Sequence, residues 1–256
     1  MAFESPSDDI DRAAAQLAHT LGRHGRLTVL TGAGVSAESG VPTFRDMGGL
    51  WQQYDWRELA TPESFANKPE LVLEFYNTRR RQLPQVRPNP AHQALAQLER
   101  ALGERLTLIT QNVDDLHERA GSQRVLHMHG QLSEKRCPRC GRVSPYDADI
   151  VVSAACEQCG GGPLRPNVVW FGEIPHHLDG DIPDALQAEA FMSIGTSGTV
   201  YPAAGFVNTA KSQGRFTLEV NLEPSDNALA FDVQLLGPAG AVLPTLVSKL
   251  TDALDG

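Results

Sequence analysis

Residues 27–30, Leu-Thr-Val-Leu, run directly into Thr31-Gly32-Ala33-Gly34-Val35-Ser36-Ala37-Glu38-Ser39-Gly40-Val41-Pro42-Thr43-Phe44-Arg45. A short apolar run that meets two glycines in three residues reads as a buried strand ending in a tight turn. Such a turn brings bare backbone N–H groups close together, and where a helix follows it can cradle a phosphate. Gly32, Gly34 and Ala37 fit the G-x-G-x-x-G/A spacing of dinucleotide-binding folds. The spacing alone also describes a turn with no ligand. In an ordinary dehydrogenase a second strand ends in an acidic residue about 20 residues further on. That interval here holds Trp51-Gln52-Gln53-Tyr54, so the usual ribose-binding acid is missing; Asn221-Leu222-Glu223, at the end of a later strand, offers a replacement.

Apolar periodicity sets the frame around this turn. Ile10, Ala14, Leu17 and Leu21 mark an opening amphipathic helix, and helices are expected over Pro69–Leu83, Ala91–Leu102, near Ala203–Gln213 and over Ala241–Leu254. Strands are expected at Leu27–Thr31, Arg105–Thr110, Val125–His127, Ala190–Ile194 and Phe216–Asn221, with a short helix after Asp114. Asp46–Pro69 has little periodicity and reads as a loop with short helical turns. Alternating strands and helices predict an α/β fold with a parallel, Rossmann-like sheet. Polar or glycine-rich residues recur after Leu30, Ile109 and Ile194 and at Asn221, the edge where open α/β sheets bind ligands. A chain of 256 residues with 41% hydrophobic content is enough for one large domain or for one domain plus a small insert.

All four cysteines fall in two pairs, Cys137-Pro-Arg-Cys140 and Cys156-Glu-Gln-Cys159. The C-x2-C-x15-C-x2-C spacing is that of a structural zinc site, and four thiolates leave no coordination position open for catalysis. Disulfides are the alternative, which a chain without a leader disfavours. The opening MAFESPSDDIDR is acidic and lacks an apolar core, no apolar run reaches bilayer-spanning length, and a cytoplasmic chain with no membrane partner is expected. The net charge of −9 argues against nucleic acid as a partner and suits one that carries lysines.

Read together, Gly32–Arg45, Thr110-Gln111-Asn112-Val113-Asp114-Asp115-Leu116-His117, His129-Gly130 and the paired cysteines resemble the sirtuins, NAD-dependent protein-lysine deacylases. The resemblance runs from about Leu27 to the last helix. It implies one catalytic domain over 1–256, a zinc-binding insert over 131–168, and a loop and helical part of the small domain and acyl pocket over 46–90. It also implies that peptide and NAD meet in the cleft between the large and small parts. Gly32, Ala33, Gly34 and Ser36 match the family's phosphate loop. Thr43, Phe44 and Arg45 end its next segment, with Thr43 where aspartate is common. Gln111, Asn112, Val113 and Asp114 match the motif that orders the nicotinamide pocket, whose carboxamide and hydroxyls need both donors and acceptors. Gly195, Thr196, Ser197, Asn221, Leu222, Glu223 and Ala239 match contacts to the adenosine half. Val169, Trp170, Phe171, Gly172 and Glu173 match a strand segment that pairs with substrate peptide. His129 holds the general-base position, with Asn112 as its catalytic companion. His127 is the less favoured histidine, and His117 reads as structural.

Tyr76 and Arg79 stand three apart on an expected helix and share a face. A phenol beside a guanidinium can hold a carboxylate. The pair resembles class III sirtuins, which remove succinyl, malonyl and glutaryl groups; Ala60 matches their small pocket residue, and Thr43 fits the same class. The resemblance implies that NAD is consumed, giving nicotinamide, free lysine and 2′-O-acyl-ADP-ribose, with Zn(2+) as the one structural ion. The competing readings are a protein ADP-ribosyltransferase on the same frame and a zinc-ribbon binding module without catalysis.

Overall fold

The computed structural model describes residues 6–42 and 56–255. Its large part is a six-stranded, all-parallel sheet in the order β3-β2-β1-β7-β8-β9. The strands are β1 (Leu27–Thr31), β2 (Leu106–Thr110), β3 (Val125–His127), β7 (Ala190–Ile194), β8 (Phe216–Asn221) and β9 (Val233–Leu236). The small part holds a second, antiparallel sheet, β5-β4-β6, from β4 (Gly130–Arg136), β5 (Val143–Pro145) and β6 (Arg165–Val168). The helices are α1 (Pro6–Leu21), α2 (Ala33–Ala37), α3 (Trp56–Leu59), α4 (Pro62–Asn67), α5 (Pro69–Gln82), α6 (Pro90–Leu102), α7 (Leu116–Ala120), α8 (Asp181–Ala185), α9 (Phe206–Ser212) and α10 (Ala239–Asp255). This is the expected α/β architecture, with a Rossmann-like sheet and a separate small sheet.

Strand β1 is buried along its whole length, which suits a central parallel strand covered on both faces. Alternate side chains serve two cores. On one face Leu27, Val29, Leu108, Met192, Leu218 and Val220 pack under α1, α6 and α10. On the other, Leu30, Ile109 and Phe191 pack with Ile182, Phe206 and Val207. Helix α6 starts where Asn89 accepts hydrogen bonds from the N–H groups of Ala91 (2.9 Å) and His92 (3.3 Å), with Pro90 as the first helical residue. An amide acceptor before a proline is a strong start signal. The small part has its own core, in which Leu59, Ala60, Phe65, Tyr76, Leu132 and Trp170 pack together.

Chain direction around β1 positions the site. β1 pairs with β2 on one side and with β7 on the other. The connection leaves in one direction and later returns on the opposite side, making a switch point at the carboxyl ends of β1 and β7, where open parallel sheets leave a crevice. The glycine turn after β1 opens there.

Several expectations change in detail. α8 and β9 were not anticipated: α8 has five residues, and β9 mixes polar and apolar positions on an edge. Arg105 belongs to a 3-10 turn rather than to β2. The Ala203–Gln213 helix divides into a 3-10 turn at Ala203–Gly205 and α9. α10 begins at Ala239, two residues earlier than the periodicity indicated, so Ala239 opens a helix instead of lying in a loop. The short helical turns expected before Pro69 do form, as α3 and α4, the latter capped by Thr61, whose side chain accepts from Ser64 N–H. Asp46–Asp55 lie outside the described residues. No described helix is long and apolar enough to cross a membrane.

Leu246 on α10 is fully buried in the core shared with α1 and α6. Leu246→Ala is expected to cost about 2–5 kcal/mol, the range for a leucine deleted from a close-packed core. A urea unfolding curve checks this through its midpoint at unchanged slope.

Candidate active site

The turn after β1 is held against the turn after β7 by backbone alone. Gly32 N–H donates to Ile194 O (3.0 Å) and Gly34 N–H to Gly195 O (2.8 Å). A Cβ on Gly34 would lie 2.7 Å from Gly195 Cα, and one on Gly32 would lie 2.8 Å from Gly195 O. These glycines therefore permit two strand ends to touch. This refines the expectation from sequence, because the Gly34 N–H is spent inside the protein instead of facing a ligand. Thr196 and Ser197 follow Gly195 at the same edge. Asn221, one strand further, donates from Nδ2 to Thr196 O (2.7 Å). Leu222 and Glu223 are exposed beyond it. Thr43, Phe44 and Arg45 lie outside the described residues.

Ser36, on α2, is completely buried. Its hydroxyl donates to Asp114 Oδ2 (3.1 Å) and accepts from Asn112 Nδ2 (3.0 Å), with His92 Nε2 at 3.4 Å. Ser36 was expected in the phosphate loop for its small size; its side chain instead points inward and fixes Asn112 and Asp114. Further bonds fix the backbone of this loop. Asn112 N–H donates to Thr110 Oγ1 (3.0 Å), Leu116 N–H to Asp114 Oδ1 (3.2 Å), and Gln111 N–H to Thr31 O (2.9 Å). Burial raises the Asp114 pKa, against hydrogen bonds from Leu116 and Ser36 that lower it. Burial pushes His92 down to about 4 and His117 well below its ordinary value, so both rings are neutral at neutral pH. They pack edge to face with centroids 4.9 Å apart. His117 Nε2 meets Thr31 Oγ1 at 3.0 Å, in keeping with a structural role. His92 and the threonine pair Thr31–Thr110 were not singled out from sequence. The Asn-Pro-Ala-His pattern marks a helix start, and nothing in it reports that the histidine reaches across to Ser36.

His129 stands between the two sheets. It follows β3 and immediately precedes β4, and Val169 N–H donates to its carbonyl (2.9 Å). Its Nδ1 lies 3.1 Å from Gln111 O, so that nitrogen carries the proton. Nε2 has no hydrogen-bond partner among the described residues. Burial lowers the pKa, opposed by the Gln111 carbonyl, and leaves a neutral imidazole with a lone pair at Nε2. Gly130 is required by the next step of the chain: its φ is 77°, and a Cβ there would lie 2.0 Å from Asn167 O on β6. His127 differs from His129 in having both ring nitrogens engaged, by Asn112 O (3.1 Å) and Glu118 Oε1 (2.7 Å). This removes it as a base.

Tyr76 and Arg79 share one side of α5. Tyr76 is buried, and its oxygen accepts from Trp170 Nε1 (3.0 Å), leaving its O–H to donate. Burial raises its pKa to about 12, so the phenol stays protonated. Burial lowers Arg79 to about 10, partly offset by Tyr76, and it remains a cation at neutral pH. The Arg79 guanidinium lies 3.5 Å from the Phe75 ring centroid. Ala60 packs in the same small core, and Phe171 N–H donates to its carbonyl (2.9 Å).

The segment 169–173 is a correction. β6 ends at Val168, and the chain turns through Phe171 and Gly172 instead of continuing as a strand. Trp170 is 2% exposed, with the Arg165 guanidinium 3.4 Å from its ring centroid. Glu173 accepts from Arg165 Nη1 (2.6 Å), Arg165 Nη2 (2.8 Å) and Trp170 N–H (2.8 Å). Trp170 is thus buried and Glu173 is tied back to Arg165, while Phe171 is exposed. Arg165, which holds both, carried no sequence signal.

The four cysteine sulfurs lie within 4.8 Å of one another. Cys137 and Cys159, and likewise Cys140 and Cys156, are 3.7 Å apart. A tetrahedron of Zn–S bonds of about 2.3 Å has edges of about 3.8 Å, so the donor set and its spacing fit a zinc ion. Matching turns form both halves: Gly141 N–H donates to Cys137 O (2.9 Å) and Gly160 N–H to Cys156 O (2.8 Å). Zinc would tie the 137–140 and 156–159 turns together under β4, and no step of the chemistry passes through it.

With this geometry in view, comparison with known proteins gives one consistent result. The Sir2 family model matches residues 32–202. An NAD-dependent protein deacylase of Caulobacter vibrioides is 56% identical over 232 residues, covering 88% of this chain and 96% of the relative. One from Shigella flexneri is 51% identical, covering 90% and 85%. Among solved structures, a Sir2 homolog–NAD complex superposes with a TM-score of 0.81 at 41% identity, covering 93% of this chain and 94% of that one. Sir2Af2 bound to a myristoylated histone peptide does so at 0.72 and 33%, covering 96% and 98%.

The purified chain is expected to carry one zinc ion, and Cys156→Ser to lose it. Metal analysis measures the ion. A thermal melt is expected to fall in the same variant, because the small core includes Cys137 and Cys156.

Proposed function

The chain belongs to the Sir2 family, an NAD-dependent protein-lysine deacylase of the sirtuin type, and on that premise we propose that it acts on lysines bearing short acidic acyl groups such as succinyl and malonyl, with acetyl a further substrate. The Tyr76–Arg79 pair carries this reading. Tyr76 sits in a small core with Ala60, Phe65, Val72, Leu73 and Trp170, and the half-buried Arg79 stands beside it with its guanidinium over the Phe75 ring. A protonated phenol and a guanidinium there offer a carboxylate two charge-assisted donors, and the apolar surroundings strengthen both. The Sir2Af2 complex involves a long apolar acyl chain. The half-buried cation and the buried phenol of this chain suit a short acidic acyl group instead.

NAD, when bound, supplies an electrophilic anomeric carbon with nicotinamide as the leaving group. Gly195–Ser197 and Asn221–Glu223 hold the adenosine half at the carboxyl ends of β7 and β8, with Ala239 beside them. Gln111–Asp114 line the nicotinamide half, and Ser36 fixes the Asn112 and Asp114 side chains from behind. His129, neutral and protonated at Nδ1, withdraws a ribose hydroxyl proton at Nε2. The backbone of Val169–Glu173 and the outward Phe171 receive the peptide, whose main chain supplies affinity with little sequence preference. The relatives named as deacylases favour this over ADP-ribosyl transfer to protein, which would need a protein nucleophile at the ribose in place of the acyl-lysine.

Matched succinyl-, malonyl- and acetyl-lysine peptides test the acyl assignment. Arg79→Met is expected to lower kcat/KM on the acidic acyl peptides by about 100-fold, and Tyr76→Phe by about tenfold, with deacetylation changing far less. Equal losses on every peptide sink the carboxylate clamp. His129→Ala is expected to abolish deacylation while NAD still binds. Because burial lowers the His129 pKa, the acid limb of kcat/KM is expected below the ordinary histidine value of about 6.5.

A further inference from the structure

His127 and His129 emerge from the same strand end, two residues apart, and donate to consecutive carbonyls of one loop. His129 Nδ1 meets Gln111 O and His127 Nδ1 meets Asn112 O, each at 3.1 Å. Their second nitrogens differ. That of His129 has no hydrogen-bond partner among the described residues, and that of His127 is 2.7 Å from Glu118 Oε1 on α7. His127 is 5% exposed and the Glu118 side chain 38%. A ring that donates to a carbonyl at one nitrogen and meets a carboxylate at the other carries a proton on both, so His127 is an imidazolium.

We propose that the His127–Glu118 pair is a positioning device for deacylation: it clamps the Asn112 carbonyl and thereby holds the Asn112 side chain and His129 Nε2 in register across the cleft. On this side the loop is also held at Gln111 O by His129 and at Val113 O by Leu132 N–H (2.9 Å). Ser36 fixes the Asn112 amide from behind and Thr110 takes its N–H, so the His127 bond completes the constraint on that residue. The proposal rests on the roles given above to His129 and Asn112.

The clamp depends on charge. The ionisable groups facing His127 are Glu118 and His117 on α7 and Asp114 in the loop. Burial pulls the His127 pKa down, but the hydrogen bond and charge of Glu118, the Asn112 carbonyl and Asp114 outweigh it, and the net shift is upward. Above that pKa the neutral ring keeps the Nε2 proton that faces the carboxylate and turns the Nδ1 lone pair toward the Asn112 carbonyl, so the clamp on that carbonyl is lost. A raised histidine pKa contributes fully below the unfolded value of about 6.5 and is lost as pH rises through the folded value. Activity is thus bounded on the acid side by His129 and on the alkaline side by His127.

The test uses the full zinc-loaded chain and four proteins: parent, His127→Leu, His127→Gln and Glu118→Gln. The kcat and KM for NAD and for one acetyl-lysine peptide are measured from about pH 5.5 to 9.5. Histidine ring titrations are followed by NMR without NAD. In His127→Leu, kcat falls on the order of tenfold or more, and each KM moves less than about threefold. In His127→Gln an amide N–H meets the Asn112 carbonyl without titrating, so kcat rises above the leucine variant and the alkaline limb disappears. In Glu118→Gln the amide donates to a neutral His127, so the limb flattens and the NMR pKa of His127 falls. Parental kcat in His127→Leu overturns the proposal, as does a parental alkaline limb in His127→Gln or an unmoved His127 titration in Glu118→Gln. If the leucine variant does not fold, the two amide variants decide the question alone. Failure of the base assignment reads differently, as full deacylation by His129→Ala.

Discussion

The contact between Gly34 and Gly195 is the constraint from which the site follows. Parallel strands in a twisted sheet run side by side, but their turns normally diverge, and side chains at the turns keep them apart. Here two backbones meet with no Cβ between them, and a 2.8 Å hydrogen bond seals the meeting. That closes the carboxyl ends of β1 and β7 into one ledge. It also sets α2 so that Ser36 points into the protein, where one hydroxyl gathers Asn112, Asp114 and His92. A larger residue at 34 would displace α2, and Ser36 with it, so a change at the turn after β1 reaches the loop after β2 without touching it.

The neutral histidines belong to the same logic. His92 and His117 are buried in the network behind Asn112, and burial keeps both uncharged. A charge on either would face the other ring at 4.9 Å. The loop after β2 is therefore backed by two histidines that bond without ionising, and the raised pKa falls to His127, beside Glu118. Similar side chains with different partners hold different protonation states within one small region.

Legibility from the sequence followed the range of the interaction. The parallel sheet was readable because burial on both faces leaves apolar runs such as Leu27–Thr31, and the zinc site was readable because two C-x2-C turns carry all four ligands locally. β9 and α8 were missed, since a short edge strand and a one-turn helix owe their form to packing and not to periodicity. Trp170 and Glu173 were placed on a strand facing the peptide. What turned them inward was Arg165, which stacks on one and pairs with the other. Ser36 was read as small, and its inward hydrogen bonds required knowing that α6 and the loop after β2 converge on it. Its partners are 56 and 78 residues away for His92 and Asp114, a distance over which local patterning carries no information.

The division into two sheets explains why the base stands where it does. In the proposed reading the large sheet holds the dinucleotide and the small core takes the acyl chain. Neither can align its ligand with the other unless some segment belongs to both. The chain from His127 to Leu132 is that segment. His127 closes β3 in the large sheet, and Gly130 opens β4 in the small one, with Asn167 O pressed against it. Leu132 N–H returns to Val113 O at 2.9 Å. His129 therefore takes its position from both sheets at once, through Gln111 on one side and Val169 on the other. A base mounted at that junction is aligned with dinucleotide and acyl-lysine only when both parts are correctly folded.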